Sequence, residues 1–261
     1  MPEFFDSLTL LLTLAAFLAG IIDSIAGGGG MITIPALLLA GIAPVEALGT
    51  NKLQGLFGSS SATLAYASKG LVNLRENWLD AFASLLGSIL GALLATIVPV
   101  SIMRTLLPLL LLAIALYFAL KPNIDDLDRT RRLGPFLFGV TIVPLIGFYD
   151  GLFGPGTGSF FMLAFVALAG YGVLKATAHT KLLNFASNVG AFAAFAAVGV
   201  INWKIGIFMG IAQFIGAQIG ARLAMRIGAR VIKPLLIIVS LALAVRLLLD
   251  PTNPLRNLLG F

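Results

Sequence analysis

The chain has 261 residues, 59% of them hydrophobic and 11% charged, where a soluble domain carries about 25% charged residues; that excludes an ordinary water-soluble protein. The net charge is +6, but the basic residues are strung through short loops between apolar runs, a topology signal and not a nucleic-acid face. With no cysteine and one histidine, disulfides, thiol catalysis and Cys- or His-clustered metal sites drop out, and neither a metal nor a cofactor is expected.

In chain order, Glu3 and Asp6 stand where a secretory signal would be basic, and the apolar run outlasts a signal peptide. Leu8–Ile25 is therefore expected to be the first membrane segment. A span needs about 20 mostly apolar residues. Further spans are expected over Pro44–Ala67, Trp78–Val98, Thr105–Leu120, Gly134–Gly151, Val173–Val198, Trp203–Arg226 and Val231–Leu249. Met31–Ala40 and Ser159–Ala169 are too short to span and each follows a glycine cluster, so they are expected to be half-helices or re-entrant arms. Lys121–Leu133 carries Asp125, Asp126, Asp128, Arg129, Arg131 and Arg132 and reads as a solvated linker. The expected fold class is an all-α integral membrane protein of about eight spanning helices plus two short arms. Its divisions are a first repeat (1–120), a linker (121–133) and a second repeat (134–261).

The two halves resemble each other. A shift of 129 sets Gly41 on Gly170, Lys52-Leu53 on Lys181-Leu182, Asn73 on Asn202 and Gly91-Ala92 on Gly220-Ala221. Two residues less of shift set Asp23 on Asp150 and Gly27 on Gly154. Apolar matches are cheap in such a chain, but matched Asp, Lys, Asn and Gly in one register point to duplication, a hallmark of secondary transporters. If each half has five segments, one side collects Lys69, Arg75, Lys121, the linker arginines, Lys175, Arg222, Arg226, Arg230 and Lys233. The other keeps Arg104, Lys204, Arg246 and Arg256. The positive-inside rule then predicts inverted repeats with both termini outside and the linker inside. Gly87-x-x-x-Gly91 and Gly216-x-x-x-Gly220 are expected to be helix-packing motifs.

Four groups of residues are candidates for chemistry. The first is the glycine breaks at Asp23–Gly30 and Asp150–Gly158. A helix restarting after a break points N–H groups and partial positive charge at the gap, which suits an anion. Gly28, Gly29, Gly30, Gly156, Thr157 and Gly158 are the candidates there. The second is Lys52 and Lys181, each ~12–13 Å into its helix at 1.5 Å per residue, near the middle of a ~30 Å hydrocarbon core. A lysine there is costly unless paired or wet, and Asn51 and Thr180 are its polar neighbours. The third is Asp23 and Asp150, which could pair with lysine, cap a half-helix or carry a coupling proton, and His179, which has nothing titratable at the matching Thr50. The last is Gln54, Ser59, Asn184 and Asn188, expected to line a path or to bond across helices. Together these residues predict an oxyanion held by backbone N–H groups and two lysines. No catalytic residue is assigned. The runner-up readings are an anion channel, a carrier of another small anion such as a carboxylate, and a membrane-embedded enzyme.

The Asp23-x-x-x-Gly27-Gly28-Gly29-Gly30 stretch, the Gly49-Thr-Asn-Lys52 string, the Gly70–Asn73 turn and their second-half echoes resemble the sulfite exporter TauE/SafE group, from about Phe17 to Leu248. The resemblance implies a multi-pass protein of a bacterial-type plasma (inner) membrane that moves sulfite, an organosulfonate or a related anion. Many members have no assigned substrate. The expected partners are a small anion and the lipid bilayer, with a homodimer as one possible assembly and no nucleic acid.

Overall fold

The computed structural model describes residues 7–97 and 125–249 and a few helical positions between 109 and 120. Most of the expected Thr105–Leu120 span, Lys121 and Asn123 of the expected linker, and both chain ends lie outside the described residues. The described residues form helices α1 (Ser7–Ala26), α2 (Gly30–Leu39), α3 (Pro44–Ala67), α4 (Trp78–Ala95), α5 (Pro135–Leu152), α6 (Thr157–Ala169), α7 (Val173–Val198), α8 (Trp203–Ile227) and α9 (Ala229–Leu248). Five of them, α1, α4, α5, α7 and α8, are long and apolar enough to cross a membrane. Their outer faces are apolar and exposed: on α8, Trp203, Ile207, Ile211, Ile215 and Ile219 recur every fourth residue and face outward, a ridge suited to lipid. The chain is an all-α, multi-pass membrane protein.

The expected Pro44–Ala67 segment is a helix over those residues but is not among the five. Thr50, Asn51, Lys52, Gln54, Ser59 and Ser61 lower its apolarity, and all are buried. A helix enclosed by other helices does not need a lipid-compatible surface. α2 and α6 begin at the two glycine clusters as short apolar arms. α2 returns toward the end where α1 starts, since Leu37 packs with Leu12 and Ala47.

Helices from the two parts of the chain interlock. α1 packs along α8, and α4 along α5. Both contacts use glycine. A side chain at Gly216 or Gly220 would strike the Phe17 or Ile21 carbonyl, and one at Gly87 or Gly91 the Pro144 or Phe148 carbonyl. The backbones therefore touch, which only small residues permit. α3 and α7 lie together at the centre and run antiparallel: past the end of α7 the Asn202 N–H donates to Thr50 near the start of α3, at 2.9 Å.

Residues 125–132, within the expected linker, are exposed, and they are held in place. Asp126 accepts from the Leu174 N–H and from the Ala229 N–H, both at 3.0 Å, which ties the first turns of α7 and α9 together. Asp128 accepts from the Gly172 N–H at 2.8 Å and pairs with Lys175. Carboxylates at helix N-termini satisfy orphan donors and oppose the helix dipole.

Candidate functional site: a crossed pair of buried lysines

Lys52 and Lys181 are both fully enclosed, at 1% and 0% exposure. A buried ammonium needs a counter-charge, and each finds one on the other part of the chain. Lys52 Nζ on α3 lies 2.8 Å from Asp150 Oδ1 at the end of α5. Lys181 Nζ on α7 lies 3.2 Å from Asp23 Oδ2 near the end of α1. Lysine from one half meets aspartate from the other, twice over. Two cations and two carboxylates leave the centre formally neutral.

The aspartates are held at both oxygens. Asp23 Oδ1 accepts from the Gly29 N–H at 3.0 Å, at the start of α2, while Oδ2 takes the lysine. Asp150 Oδ2 accepts from Ser187 at 2.6 Å. Its Oδ1 lies 2.7 Å from the Thr157 hydroxyl at the start of α6, and that hydroxyl's one proton is shared in reach with the Gly154 carbonyl at 2.8 Å. Both carboxylates thus pair with lysine and also fasten the beginning of a short arm.

The glycine breaks meet in the middle. Gly27, at φ +77, lies against Gly158 so closely that a side chain on either would strike the other's backbone. Gly154, at φ +86, leaves the Lys52 ammonium its space: a Cβ there would sit 3.2 Å from Nζ. Between these elements lies a cavity of about 30 Å³, lined by Asp23, Gly30, Asn51, Lys52, Asp150, Gly156, Thr157, Gly158, Asn184, Asn188 and Gln213, among others. That volume holds about one water and is too small for a tetrahedral or pyramidal oxyanion.

Most of the residues expected from sequence gather here. Asn51 donates to Thr33 at 2.7 Å, on the inner side of α2, and Asn188 donates to Ser59 at 3.4 Å across α3 and α7. Lys181 reaches the centre through Asp23, although it does not itself line the cavity. Others stand apart. Gly28 faces Val239 of α9. Thr180 and Gln54 are fully buried off the cavity, and among the described residues neither the Thr180 hydroxyl nor the Gln54 amide has a hydrogen-bond partner. His179 bonds the Lys175 carbonyl at 2.9 Å and packs edge-on to Tyr171, so its ring belongs to an aromatic cluster at the linker end and not to the ion pairs.

Three participants escaped the sequence reading. Ser187 is six residues beyond Lys181 and looks like one more small residue of a helix interface. Thr33 lies in an apolar arm. Gln213 had a usable signal, as one of two amides, with Gln218, in the largely apolar middle of its helix. It lines the cavity, its Oε1 is buried without a partner, and Gly58 on α3 leaves the room its side chain occupies.

Comparison with known proteins agrees with this architecture. The sulfite exporter TauE/SafE family matches residues 12–247, a stretch that takes in the whole charged centre. The chain is 66% identical over 260 residues to a probable membrane transporter, ORF9, of Sinorhizobium sp, with all of both chains covered. It is 46% identical to a probable membrane transporter of Haemophilus influenzae, over 93% of this chain and 95% of the relative. It is 44% identical to the probable membrane transporter YfcA of Escherichia coli K12, over 92% of this chain and 89% of the relative. No solved structure matches at a significant level. A match running from α1 to α9, with full-length relatives that are themselves probable membrane transporters, places this chain in the sulfite exporter TauE/SafE family.

Proposed function

We propose that the protein is a secondary transporter that exports a small sulfur-containing oxyanion, such as sulfite or an organosulfonate, through the centre built by Lys52, Lys181, Asp23 and Asp150. The observation that carries the proposal is the crossed pairing of buried ions at the two glycine breaks. Each carboxylate occupies a lysine and a helix start at once, and those are the partners an oxyanion needs. On this reading Asp23 and Asp150 hold the place of the substrate. An arriving anion displaces a carboxylate, and a proton taken up by that carboxylate offsets the added charge, which couples the anion to a proton.

The centre leaves a space for about one water, which favours a carrier caught between openings over an open pore. Substrate entry then requires α2 or α6 to swing at its glycines. The antiparallel α3 and α7 support inverted repeats that rock about the charged centre in alternating access.

Equilibrium binding of sulfite and of thiosulfate to purified protein in nanodiscs tests this reading. Lys52→Ala alone strands a carboxylate, so the informative variant is the neutral double change Lys52→Ala with Asp150→Asn. It should stay folded and lose anion binding by at least roughly tenfold, the scale of one lost charged hydrogen bond. If that protein and the matching Lys181→Ala with Asp23→Asn both bind as wild type, the ion pairs are structural and the site lies elsewhere.

A further inference from the structure

A second cavity, about 680 Å³ and open to the outside, lies at the end of the bundle where the linker docks, between the last turns of α3 and α8 and the start of α7. Among the described residues its charged lining is Lys69, Arg222 and Arg226, and no acidic residue lines it. Among the described residues none of the three makes an ion pair. Arg222 and Arg226 are four apart on α8, on one face, where like charges repel; an anion between them relieves that repulsion. The other walls are mostly apolar, with Leu71, Leu174 and Met225 among them.

Cations over an apolar wall fit an amphiphile better than a free ion. We infer that this cavity binds the headgroup of an anionic phospholipid from the leaflet on the linker side. Lys69, Arg222 and Arg226 hold the phosphate, and the glycerol and first acyl carbons lie on Leu71, Leu174 and Met225. Arginine offers paired N–H donors to phosphate oxygens, and basic pockets between membrane helices suit lipid phosphates on the side where anionic lipids concentrate.

The site is separate from the charged centre, because Ala65 on its wall lies ~20 Å along α3 from Lys52 at 1.5 Å per residue. It also has no echo in the other half of the sequence. The 129-residue shift that sets Lys52 on Lys181 sets Lys69 on Val198, and Arg222 and Arg226 on Leu93 and Ile97. All three of those positions are apolar and exposed. A part of the translocation path is expected in both halves, whereas a device for one leaflet is expected once.

The test is titration of delipidated full-length protein in detergent with phosphatidylglycerol, followed by native mass spectrometry, with phosphatidylcholine as the zwitterionic control. The triple change Lys69→Gln, Arg222→Gln, Arg226→Gln should weaken phosphatidylglycerol binding on the order of a hundredfold, at about fivefold per charge. Arg230→Gln, at the same end but outside the cavity lining, should change it by less than about twofold. Should the triple variant fail to elute as a single species, Arg222→Gln alone should cost about fivefold and Arg222→Lys should recover part of it. Binding of phosphatidylcholine as tight as phosphatidylglycerol, or an Arg222→Gln protein that binds like wild type, would overturn the inference. So would an Arg230→Gln effect equal to that of Arg222→Gln, which would indicate diffuse surface attraction. Full displacement of the lipid by equimolar glycerol phosphate would reassign the cavity to a soluble phosphate ester.

Discussion

Removing one member of a buried ion pair strands the other, and the stranded charge sets the cost. Lys52→Ala leaves Asp150 at 3% side-chain exposure without its cation, and the expected loss is about 3–5 kcal/mol of stability. Lys52→Ala combined with Asp150→Asn should recover most of it, since a neutral amide is far less costly to bury. Chemical unfolding in micelles checks both, and equal destabilisation by the single and double variants would show that packing and not charge dominates the site. The same logic orders the neighbours. Ser187 gives Asp150 a short hydrogen bond, so it acts on the charge. His179 bonds a carbonyl and packs on aromatic rings, so it acts on the packing of the linker end.

Whole helices are held by two devices that differ in their sensitivity to conditions. The glycine seams between α1 and α8 and between α4 and α5 are steric and indifferent to pH. Gly91→Ala places a methyl on the Phe148 carbonyl, and overpacking of this kind costs about 1–3 kcal/mol. A thermal-stability assay in detergent should show Gly91→Ala clearly destabilised and Gly134→Ala, which meets no neighbour and has an ordinary φ of −58, destabilised less. The linker clasp is electrostatic. Partial desolvation pushes the Asp128 carboxyl up, but hydrogen bonds from Lys175 and the Gly172 N–H, together with the Lys175 charge, outweigh it and hold the group below its ordinary value. A carboxyl depressed on folding stabilises above its unfolded pKa, and that contribution disappears as pH falls through the folded value. The protection of the Gly172 amide, its exchange rate taken relative to the intrinsic rate at each pH, should therefore hold above about pH 5 and fall only in more acidic solution. Protection lost already near neutrality would point away from Asp128. The pair is half exposed, so the effect is expected to be small.

On the scale of the molecule, charge lies unevenly along the bundle axis. Lys69, Arg222 and Arg226 surround one cavity at the end where the α7 start lies, and the linker with its arginines and Lys175 docks at that same end. The positive-inside rule predicts that this end is cytoplasmic, the orientation proposed here. A cysteine at the exposed Thr130 should accordingly resist an impermeant maleimide in intact cells and react after permeabilisation, while rapid labelling of intact cells would invert the proposed orientation. Interlocking also bears on how the chain assembles. Because α1 packs on α8 and α5 on α4, neither of the two halves proposed from sequence can complete its own packing.

Composition alone determined the solvent: so apolar a chain cannot cover itself in water, so its helices face lipid. Local pattern determined the glycine breaks, the linker and the depth of the lysines, because helix length, breaker residues and an unaffordable charge are all read within a few turns. Tertiary structure decided which carboxylate meets which lysine. Asp23 and Lys181 are 158 positions apart, and no local periodicity links them. It also decided that both aspartates pair with a lysine, one of the roles left open for them by the sequence, because a buried ammonium takes the nearest carboxylate the packing brings to it. It made the cationic cavity by folding Lys69 beside Arg222 and Arg226, residues whose separation in the chain makes them look like unrelated loop charges until α3 and α8 pack together.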